Sequence, residues 1–404
     1  MAVQTHVAHG SDEGRSAINV RALGAAGDGT KNDTRAIDQA LRSYDIVYFP
    51  AGKYVHDGRL VLRPGQSLRG DGDATTILAA VQFATRCTAD WLTIHATDCS
   101  VFDRVVDGAV LTGVHFMGGN HLAALSFDDN RVTNCTFNWC KFSHNTVGNG
   151  VKIVEKGFYE SHYENLTFNG CQFFENRRMN FEAIQRNGNK PVTMGYSGIV
   201  LNNCQAIGNR EVPNQINVSF DSEFLSDGSR RSSGFSTING GEITGGEVAL
   251  ELAGSIHMTV DGTSINDASQ KSIVVCQVSA SEDAGHKILN VTTSGSGRVD
   301  IAGSNNLVKA CNLSSTDKAL RLVYASNTVV DGCTITTTYP TAMTIETSQQ
   351  NEIKNCHFKG GSYNSILVLY PGTHDNSVHD CTFERTHIDI DVRDNNRLAA
   401  WSNN

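Results

Sequence analysis

The chain has 404 residues and a formal net charge of −9 at pH 7, and 39% of its residues are hydrophobic. The negative charge argues against nucleic-acid binding, because phosphate contacts need a basic surface. No stretch approaches about 18 consecutive apolar residues, which excludes a membrane-spanning helix. Residues 1–17 form a polar arm without the apolar stretch of a signal peptide.

A short helix is predicted close to the start of the chain. Ile18–Val20 leads into a glycine-rich stretch, and Arg35–Ser43 then has the spacing of an amphipathic helix. Its apolar face is formed by Ile37, Ala40 and Leu41. Asp33 or Thr34 is the expected N-cap. A stack of strands exposes its core and unpaired edges at the end, so a helix at this position would cover the first coil.

Short strands in a repeating pattern follow to the end of the chain. The first are Leu60–Leu62, Ser67–Gly70 and Thr76–Leu78. From Asn306 onward one cassette of alternating apolar and polar residues recurs around a cysteine about every two dozen residues. A period of that length is typical of a solenoid, and the alternation is typical of strands. The sequence therefore predicts an all-β, single-stranded parallel β-helix with an N-terminal capping helix.

The cysteines are interpreted as a buried ladder of free thiols. Their number, 11, is odd, and the chain is long enough to build its own core, which disfavours a disulfide framework. No CxxC spacing occurs, so neither a metal site nor a cofactor is predicted. Equivalent residues on successive coils stack about 4.8 Å apart. The expected ladder consists of Cys135, Cys171, Cys204, Cys311, Cys333, Cys356 and Cys381.

A family motif lies in the N-terminal segment. It comprises Val20–Gly29, Asn32–Thr34, Ala36–Ile37 and Val47–Tyr54. These residues resemble the opening of the pectate-lyase-like β-helix superfamily, which includes phage tailspikes and microbial polysaccharide-degrading enzymes. The resemblance implies a right-handed β-helix, a polysaccharide substrate, an extracellular location on a virion tail or in secreted form, and a parallel homotrimer.

Three subfamilies of that superfamily do not match the sequence. The Asn-Thr-Asp and Gly-His-Gly motifs of polygalacturonase-like hydrolases and the Asp-Pro-His-Glu motif of alginate epimerases are absent. The calcium-site signature of pectate lyases is not recognisable either. The tailspike-like group is thus the nearest resemblance, and it implies an acidic pair on the middle coils that cleaves a bacterial surface glycan.

Long connections interrupt the middle of the predicted solenoid. We expect a polar arm at 1–17, a cap with the first coils at 18–78, a β-helix at 79–393 with long loops at 136–235, and a tail at 394–404. Long loops on a rigid coil form the walls of a groove and commonly carry function. Sugar rings stack on aromatic side chains, and arginine binds carboxylates. The candidate substrate-binding residues there are Tyr159, His162, Arg177, Arg178 and Arg186.

Three acids between these loops are the candidate catalytic residues. Each directly follows an inward apolar residue of a strand and so points outward: Glu182, Asp221 and Glu251. In register, neighbouring carboxylates would lie roughly 5 Å apart and alternate ones about 10 Å, so retaining and inverting hydrolysis both stay open. A slip of two residues would bring in Ser219 or Glu223. Lys152, one coil earlier, is expected to bind substrate or form a salt bridge, whereas Glu346 and Asp389 are expected to be solvated.

The sequence predicts an enzyme that degrades an extracellular or capsular bacterial polysaccharide. Hydrolysis with Glu182 in a central role is favoured, because crowded acids raise one another's pKa and keep one of them protonated. A lyase is the alternative, with its base among Lys156, Tyr159, His162 and Arg186. A non-catalytic glycan-binding adhesin or tail fibre is the third reading.

Overall fold

Parallel strands stacked coil upon coil build the molecule. The structure, a computed structural model, describes residues 14–128, 130–155, 161–185, 195–209, 212–222, 233–276, 283–384, 387–393 and 398–402. In this part of the chain the strands belong to four sheets, named A to D here, and each strand pairs with its counterparts on the coils before and after it. Sheets A, B and C run the length of the solenoid, and sheet D covers a few coils between C and A. The predicted parallel β-helix is confirmed.

Sheets A and B follow one another in the chain on every coil. Sheet A has 16 strands: β1 (Ala17–Asn19), β3 (Ile46–Tyr48), β6 (Ser67–Arg69), β9 (Thr88–Asp90), β13 (Val110–Thr112), β17 (Thr136–Asn138), β21 (Thr167–Asn169), β25 (Val200–Asn202), β28 (Thr237–Asn239), β31 (Thr259–Asp261), β34 (Lys287–Leu289), β37 (Leu307–Lys309), β40 (Val329–Asp331), β43 (Glu352–Lys354), β46 (Asn376–His379) and β49 (Leu398–Ser402). Sheet B has 15 strands: β2 (Asp28–Asn32), β4 (Gly52–Val55), β7 (Thr75–Leu78), β10 (Thr93–Ala96), β14 (His115–Gly118), β18 (Lys141–Ser143), β22 (Gln172–Phe174), β26 (Gln205–Ile207), β29 (Glu242–Thr244), β32 (Ser264–Ala268), β35 (Thr292–Gly295), β38 (Asn312–Ser315), β41 (Thr334–Thr337), β44 (His357–Gly360) and β47 (Thr382–Glu384).

Sheet C contains the longer strands and carries the candidate acids. Its 14 strands are β5 (Leu60–Val61), β8 (Val81–Phe83), β11 (Ser100–Phe102), β15 (Ala123–Asp128), β19 (Asn149–Glu155), β23 (Phe181–Gln185), β27 (Ile216–Ser222), β30 (Val248–Ala253), β33 (Lys271–Cys276), β36 (Arg298–Ser304), β39 (Leu320–Ser326), β42 (Thr341–Glu346), β45 (Asn364–Leu369) and β48 (Ile388–Val392). Sheet D has four strands: β12 (Val105–Asp107), β16 (Arg131–Thr133), β20 (His162–Glu164) and β24 (Tyr196–Ser197). The segment predicted as a tail at 394–404 thus contributes β49, which pairs with β46.

The predicted N-terminal helix is present as α1 (Thr34–Ser43), which contacts the 3₁₀ turn Val20–Leu23. Its buried face consists of Ala36, Ile37, Ala40 and Leu41, which continue the core of the coils. Asp33 occupies the N-cap position, but its side chain accepts hydrogen bonds from the backbone N–H groups of Ala26 at 2.6 Å and Gly27 at 3.2 Å. Asp33 therefore ties the glycine-rich loop to the start of the helix. No helix in the described part of the chain is long and apolar enough to cross a membrane.

A two-residue turn joins sheet A to sheet B from β9 to β47. Its first residue has a left-handed backbone, with φ between 49° and 64°. This conformation is open to glycine and tolerated by asparagine and aspartate, which explains the residue types that precede the cysteines in the sequence. The turn residues are Trp91, Gly113, Trp139, Gly170, Asn203, Gly240, Gly262, Asn290, Ala310, Gly332, Asn355 and Asp380.

The second residue of this turn points inward and forms the thiol ladder. Cys140, Cys171 and Cys204 stack in one run, and a second run consists of Cys311, Cys333, Cys356 and Cys381. All seven are buried and free, which was predicted for each of them except Cys140. Cys135 is buried too, but its predicted place in the ladder is wrong, because it precedes β17 of sheet A and so stacks between Ala109 and Leu166.

Stacked phenylalanines fill the core beneath the long loops. Phe142 lies between Phe116 and Phe173. Its ring centroid is 5.2 Å from each of theirs, and both of these rings are nearly parallel to it. Phe168 stacks on Phe137 at 4.4 Å and meets the edge of Phe181 at 5.4 Å. Offset stacks and edge contacts are the favourable geometries for aromatic pairs. These contacts form a rigidly packed core beneath the middle strands of sheet C.

Two adjacent coils allow the free-energy cost of the left-handed turn conformation to be measured. Ala310 (φ 53°) and Gly332 (φ 64°) are exposed at the same turn position, and a Cβ added to Gly332 would meet nothing within 4 Å. We expect Ala310→Gly to raise the free energy of unfolding by about 1 kcal/mol, because left-handed strain outweighs the extra chain entropy of glycine. Gly332→Ala should lower it by a similar amount. Thermal unfolding midpoints measure both, and changes of the same sign would contradict the explanation.

Candidate active site

One outward-facing row of sheet C brings the candidate residues together. Lys152 on β19 pairs with Glu182 on β23, Glu182 with Ser219 on β27, and Ser219 with Glu251 on β30. We call these four residues the catalytic row. Parallel strands lie about 4.8 Å apart, so the two glutamates are two strands, or roughly 10 Å, from each other along the axis. Their chain neighbours Phe181, Phe220, Leu250 and Leu252 are fully buried, so the outward direction predicted for the acids is correct.

The expected stack of three acids is wrong for Asp221. Asp221 pairs with Ile184, and Ser219 occupies the position opposite Glu182. Asp221 also forms an isolated antiparallel bridge with Gly254, where β27 leaves the regular ladder. The alternation of a strand determines which residues face outward, but a shift of two residues preserves that face. The slip that the sequence left open has therefore occurred.

Glu182 carries a buried ion pair. The Nζ of Lys152 lies 2.9 Å from Oε2 of Glu182, with 4% and 8% of the two side chains exposed. The Nδ2 group of Asn149 donates to the same oxygen at 2.6 Å. A buried charge is tolerated only when it is paired and hydrogen-bonded, and both conditions hold here. Both donors contact the same carboxylate oxygen, Oε2.

Glu251 has a different environment. The Ser219 hydroxyl donates to Oε2 of Glu251 at 2.9 Å. Burial raises the pKa of Glu251; the hydrogen bond from Ser219 and the charge of Lys271 oppose that increase, and the charge of Glu182 adds to it. A carboxyl group that holds its proton at higher pH is suited to general acid catalysis. The catalytic row thus contains two acids in contrasting environments.

Glu346 lies on the same face of sheet C, but its pKa is lowered, whereas that of Glu251 is raised. Glu346 is 4% exposed, and Arg321 Nη2 donates to it at 2.6 Å, so its predicted solvation is wrong. Burial alone would raise the pKa of Glu346, but the hydrogen bonds from Arg321 and Thr344 lower it overall. An outward position on this sheet therefore does not determine an acid's chemistry, whereas its partners do.

The remaining candidate site residues are not part of the catalytic row. His162 lies on sheet D, where its Nε2 is 3.1 Å from Glu164 Oε2 and its Nδ1 is 3.2 Å from the carbonyl of Gly195. Arg177 and Arg178 are exposed in the turn before β23, close in sequence to Glu182. Further candidates lie outside the described residues: Lys156, Tyr159, Arg186, Glu223.

Sequence reasoning missed Asn149 and Lys271. Asn149 begins β19, three residues before Lys152, and nothing in its sequence context distinguishes it from the many asparagines of the turns. Lys271 acts on Glu251 from the neighbouring strand β33. Across the described ranges, no group of three or more His, Cys, Asp and Glu side chains could hold a metal ion.

The buried ion pair predicts a strong asymmetry between single and double variants. Lys152→Met should lower the free energy of unfolding by about 3–5 kcal/mol, because it leaves the Glu182 charge buried without its partner. Lys152→Met/Glu182→Gln should recover much of that loss. Lys354→Met is the control, since the Lys354–Glu352 pair is partly exposed at 29% and 35% and should contribute little to stability. Denaturant unfolding measures all three, and equal losses for the two lysines would contradict the assignment.

Glu251 and Glu346 predict opposite pH dependences of stability. The folded pKa of Glu251 is raised above its ordinary value of 4.5, so its contribution is complete below that value and is lost as pH rises through the folded pKa. Glu251→Gln should therefore gain stability relative to the parent protein as pH rises. The pKa of Glu346 is lowered, so its contribution is present above its ordinary value of 4.5 and is lost as pH falls through the folded pKa, and Glu346→Gln should be the less stable at neutral pH. Unfolding curves at a series of pH values test both signs.

The chain was compared with known families and structures. Residues 17–219 match the family model described as rhamnogalacturonase A/epimerase, pectate lyase-like, and residues 232–400 match the right handed beta helix region. No curated protein sequence matches the chain significantly.

Two solved structures show the same fold. The A-module of the mannuronan C-5 epimerase AlgE6 from Azotobacter vinelandii has a TM-score of 0.59 at 16% identity, over 92% of this chain and 99% of that one. The Agl-KA catalytic domain has a TM-score of 0.50 at 10% identity, over 93% of this chain and 68% of that one. Identities this low show the fold alone. Since the first family model spans half of the chain, the protein belongs to the right-handed β-helix family of pectate-lyase-like proteins described as rhamnogalacturonase A/epimerase.

Proposed function

We propose that the protein cleaves an extracellular or capsular bacterial polysaccharide by inverting acid/base hydrolysis on the outer face of sheet C. The observation that carries this proposal is the pair Glu182 and Glu251, which share one row two strands apart in contrasting environments. Membership of a family whose description names a rhamnogalacturonase and an epimerase supports a polysaccharide as the substrate.

The environments of the two acids support separate roles. Glu251, whose pKa is raised mainly by burial, donates its proton to the glycosidic oxygen of the leaving sugar. Glu182, ion-paired with Lys152, accepts a proton from the water that attacks the anomeric carbon. The bond from that carbon to the glycosidic oxygen breaks as the bond to water forms. Two shorter chains result, and the new reducing end has an inverted configuration.

The separation along the row favours inversion over retention. An inverting pair needs about 6.5–9.5 Å between its carboxyl groups to accommodate water, and a retaining pair needs about 5–5.5 Å. Two strands of spacing correspond to roughly 10 Å, which is nearer to the separation of an inverting pair than to that of a retaining pair. The position that a retaining nucleophile would occupy beside Glu182 is held by Ser219.

Substrate binding extends the proposal beyond the catalytic row. Arg177 and Arg178 are exposed in the turn before β23, where guanidinium groups can bind the carboxylates of an acidic glycan. Tyr159, Arg186 and Glu223 stay proposed substrate contacts on the strength of the sequence alone. A parallel homotrimer and a location on a virion tail or in secreted form are proposed from the resemblance, and the mass measured by light scattering tests the trimer.

Activity assays on purified polymers test the proposed reaction. Incubation with bacterial capsule, exopolysaccharide and uronate polymers should release new reducing ends without the ultraviolet absorbance of unsaturated uronates. Glu182→Gln and Glu251→Gln should each lower the rate by about 10²- to 10⁴-fold, because each removes a proton-transfer group. Glu346→Gln is the matched control and should keep full activity. NMR of the first product should show the inverted anomer.

Three outcomes would contradict this mechanism. Absorbance that survives Glu182→Gln would make the protein a lyase. A retained anomeric configuration would exclude the proposed pair as an inverting acid and base. Glycan binding without cleavage of any polymer would leave an adhesin. Glu182→Gln alone leaves Lys152 without its ion-pair partner. The double variant Lys152→Met/Glu182→Gln and circular dichroism therefore serve to distinguish a loss of catalysis from a loss of folding.

A further inference from the structure

Two of the three tryptophans lie exposed at the corner between sheets A and B. Trp91 is 51% exposed and Trp139 is 61% exposed. They follow β9 and β17, between which β13 is the only intervening strand of sheet A, so the two rings are two strands apart. At about 4.8 Å per strand, the rings are separated by roughly 10 Å along the axis.

The backbone at both positions is unusual for tryptophan. Trp91 has φ 54° and Trp139 has φ 52°, in the left-handed region. A bulky residue is a true outlier there, whereas glycine and asparagine fill most of the equivalent turns on later coils. Tyr324 has a similar left-handed φ of 52°, so this angle alone does not assign a function. What distinguishes the two tryptophans is that both occupy the same repeated turn, on alternate coils, with their rings exposed.

Glycines on the following coils support the two rings. A Cβ on Gly113 would lie 2.3 Å from the ring of Trp91, and a Cβ on Gly170 would lie 2.8 Å from Cδ1 of Trp139. Each indole thus covers the backbone of the next coil, and only a residue without a side chain leaves room for it. One side of each ring is held by the solenoid, and the other is open to solvent.

Polar side chains of sheet A lie beside both rings. Asp90 directly precedes Trp91, and Asn138 directly precedes Trp139 and accepts a hydrogen bond from Asn169 at 2.9 Å. Asn202 extends this ladder by donating to Asn169 at 2.9 Å. The isolated rings alternate with glycine and lie beside polar side chains, so they do not form the contiguous apolar patch that marks many protein interfaces. A sugar chain has the matching chemistry, because it presents apolar C–H faces to the rings and hydroxyl groups to the amides.

We propose that Trp91 and Trp139 form a second polysaccharide-binding site, which holds a pyranose chain parallel to the β-helix axis without cleaving it. The rings lie roughly 10 Å apart along the axis, so both can contact sugars of one extended chain. Sheet C does not border this corner, so the site is separate from the catalytic row. It would keep the protein attached to a polymer while the polymer is cut elsewhere, and it does not depend on the proposed hydrolysis.

Substitution by asparagine removes the rings and preserves the turn. Asn203, Asn290 and Asn355 occupy the same turn position on other coils, so Trp91→Asn and Trp139→Asn should leave the melting temperature unchanged or higher. In native gels containing alginate, polygalacturonate, a β-glucan or a bacterial capsular polysaccharide, at least one polymer should retard the parent protein. The double variant should bind that polymer about tenfold more weakly. Tyr324→Asn, at an exposed residue of sheet C with φ 52°, is the control and should bind normally.

The outcomes separate this site from the catalytic row. Glu251→Gln should retain the tryptophan-dependent retardation, and the double tryptophan variant should still cleave a short soluble oligosaccharide if the parent does. Equal retardation of parent and double variant, or no retardation by any of the four polymers, would overturn the proposal. A lower mass of the double variant in light scattering, with polymer binding unchanged, would identify the corner as an interface between copies of this chain and would likewise overturn it.

Discussion

The in-register pairing of parallel strands is the constraint on which the rest of the structure depends. The backbone of each coil is hydrogen-bonded to the backbone of the next. Every residue therefore lies about 4.8 Å from its equivalents on the neighbouring coils. Residues distant in sequence therefore form continuous columns. The thiol runs, the phenylalanine stacks and the asparagine ladder are such columns, and so is the row from Lys152 to Glu251. One geometric rule generates both the core and the candidate site.

Stacking also forces charged side chains into close contact, and their partners then decide their chemistry. Glu182 gains an ammonium and an amide, Glu346 gains a guanidinium and a hydroxyl, and Glu251 gains a hydroxyl as its hydrogen-bond donor among the described residues. The pKa of Glu251 rises because burial is only partly offset, whereas that of Glu346 falls because Arg321 and Thr344 together outweigh burial. Acids on one face of one sheet can thus serve structure or chemistry. The difference arises from which residue the adjacent coil supplies.

A solenoid can carry separate sites on different faces of one rigid body. Sheet C carries the acids and borders the long connections of the middle coils, and the corner between sheets A and B carries the exposed tryptophans. Short turns hold this corner at the same backbone angles over many coils, so its side chains project at regular intervals. A glycan is itself a periodic chain. A periodic protein surface can therefore contact several sugar units without any change in the fold.

The sequence by itself determined the solenoid, the capping helix, the burial of the seven cysteines predicted for the ladder and the outward direction of the acids. These follow from local periodicity, since alternation of apolar and polar residues identifies the buried face of a strand. Only the tertiary structure decided that Ser219 and not Asp221 lies beside Glu182, that Cys140 and not Cys135 joins the ladder, and which charges form pairs. Alternation repeats every second residue and is unchanged by a shift of two. The register is set by the lengths of the intervening turns and by contacts between coils, which no local pattern records.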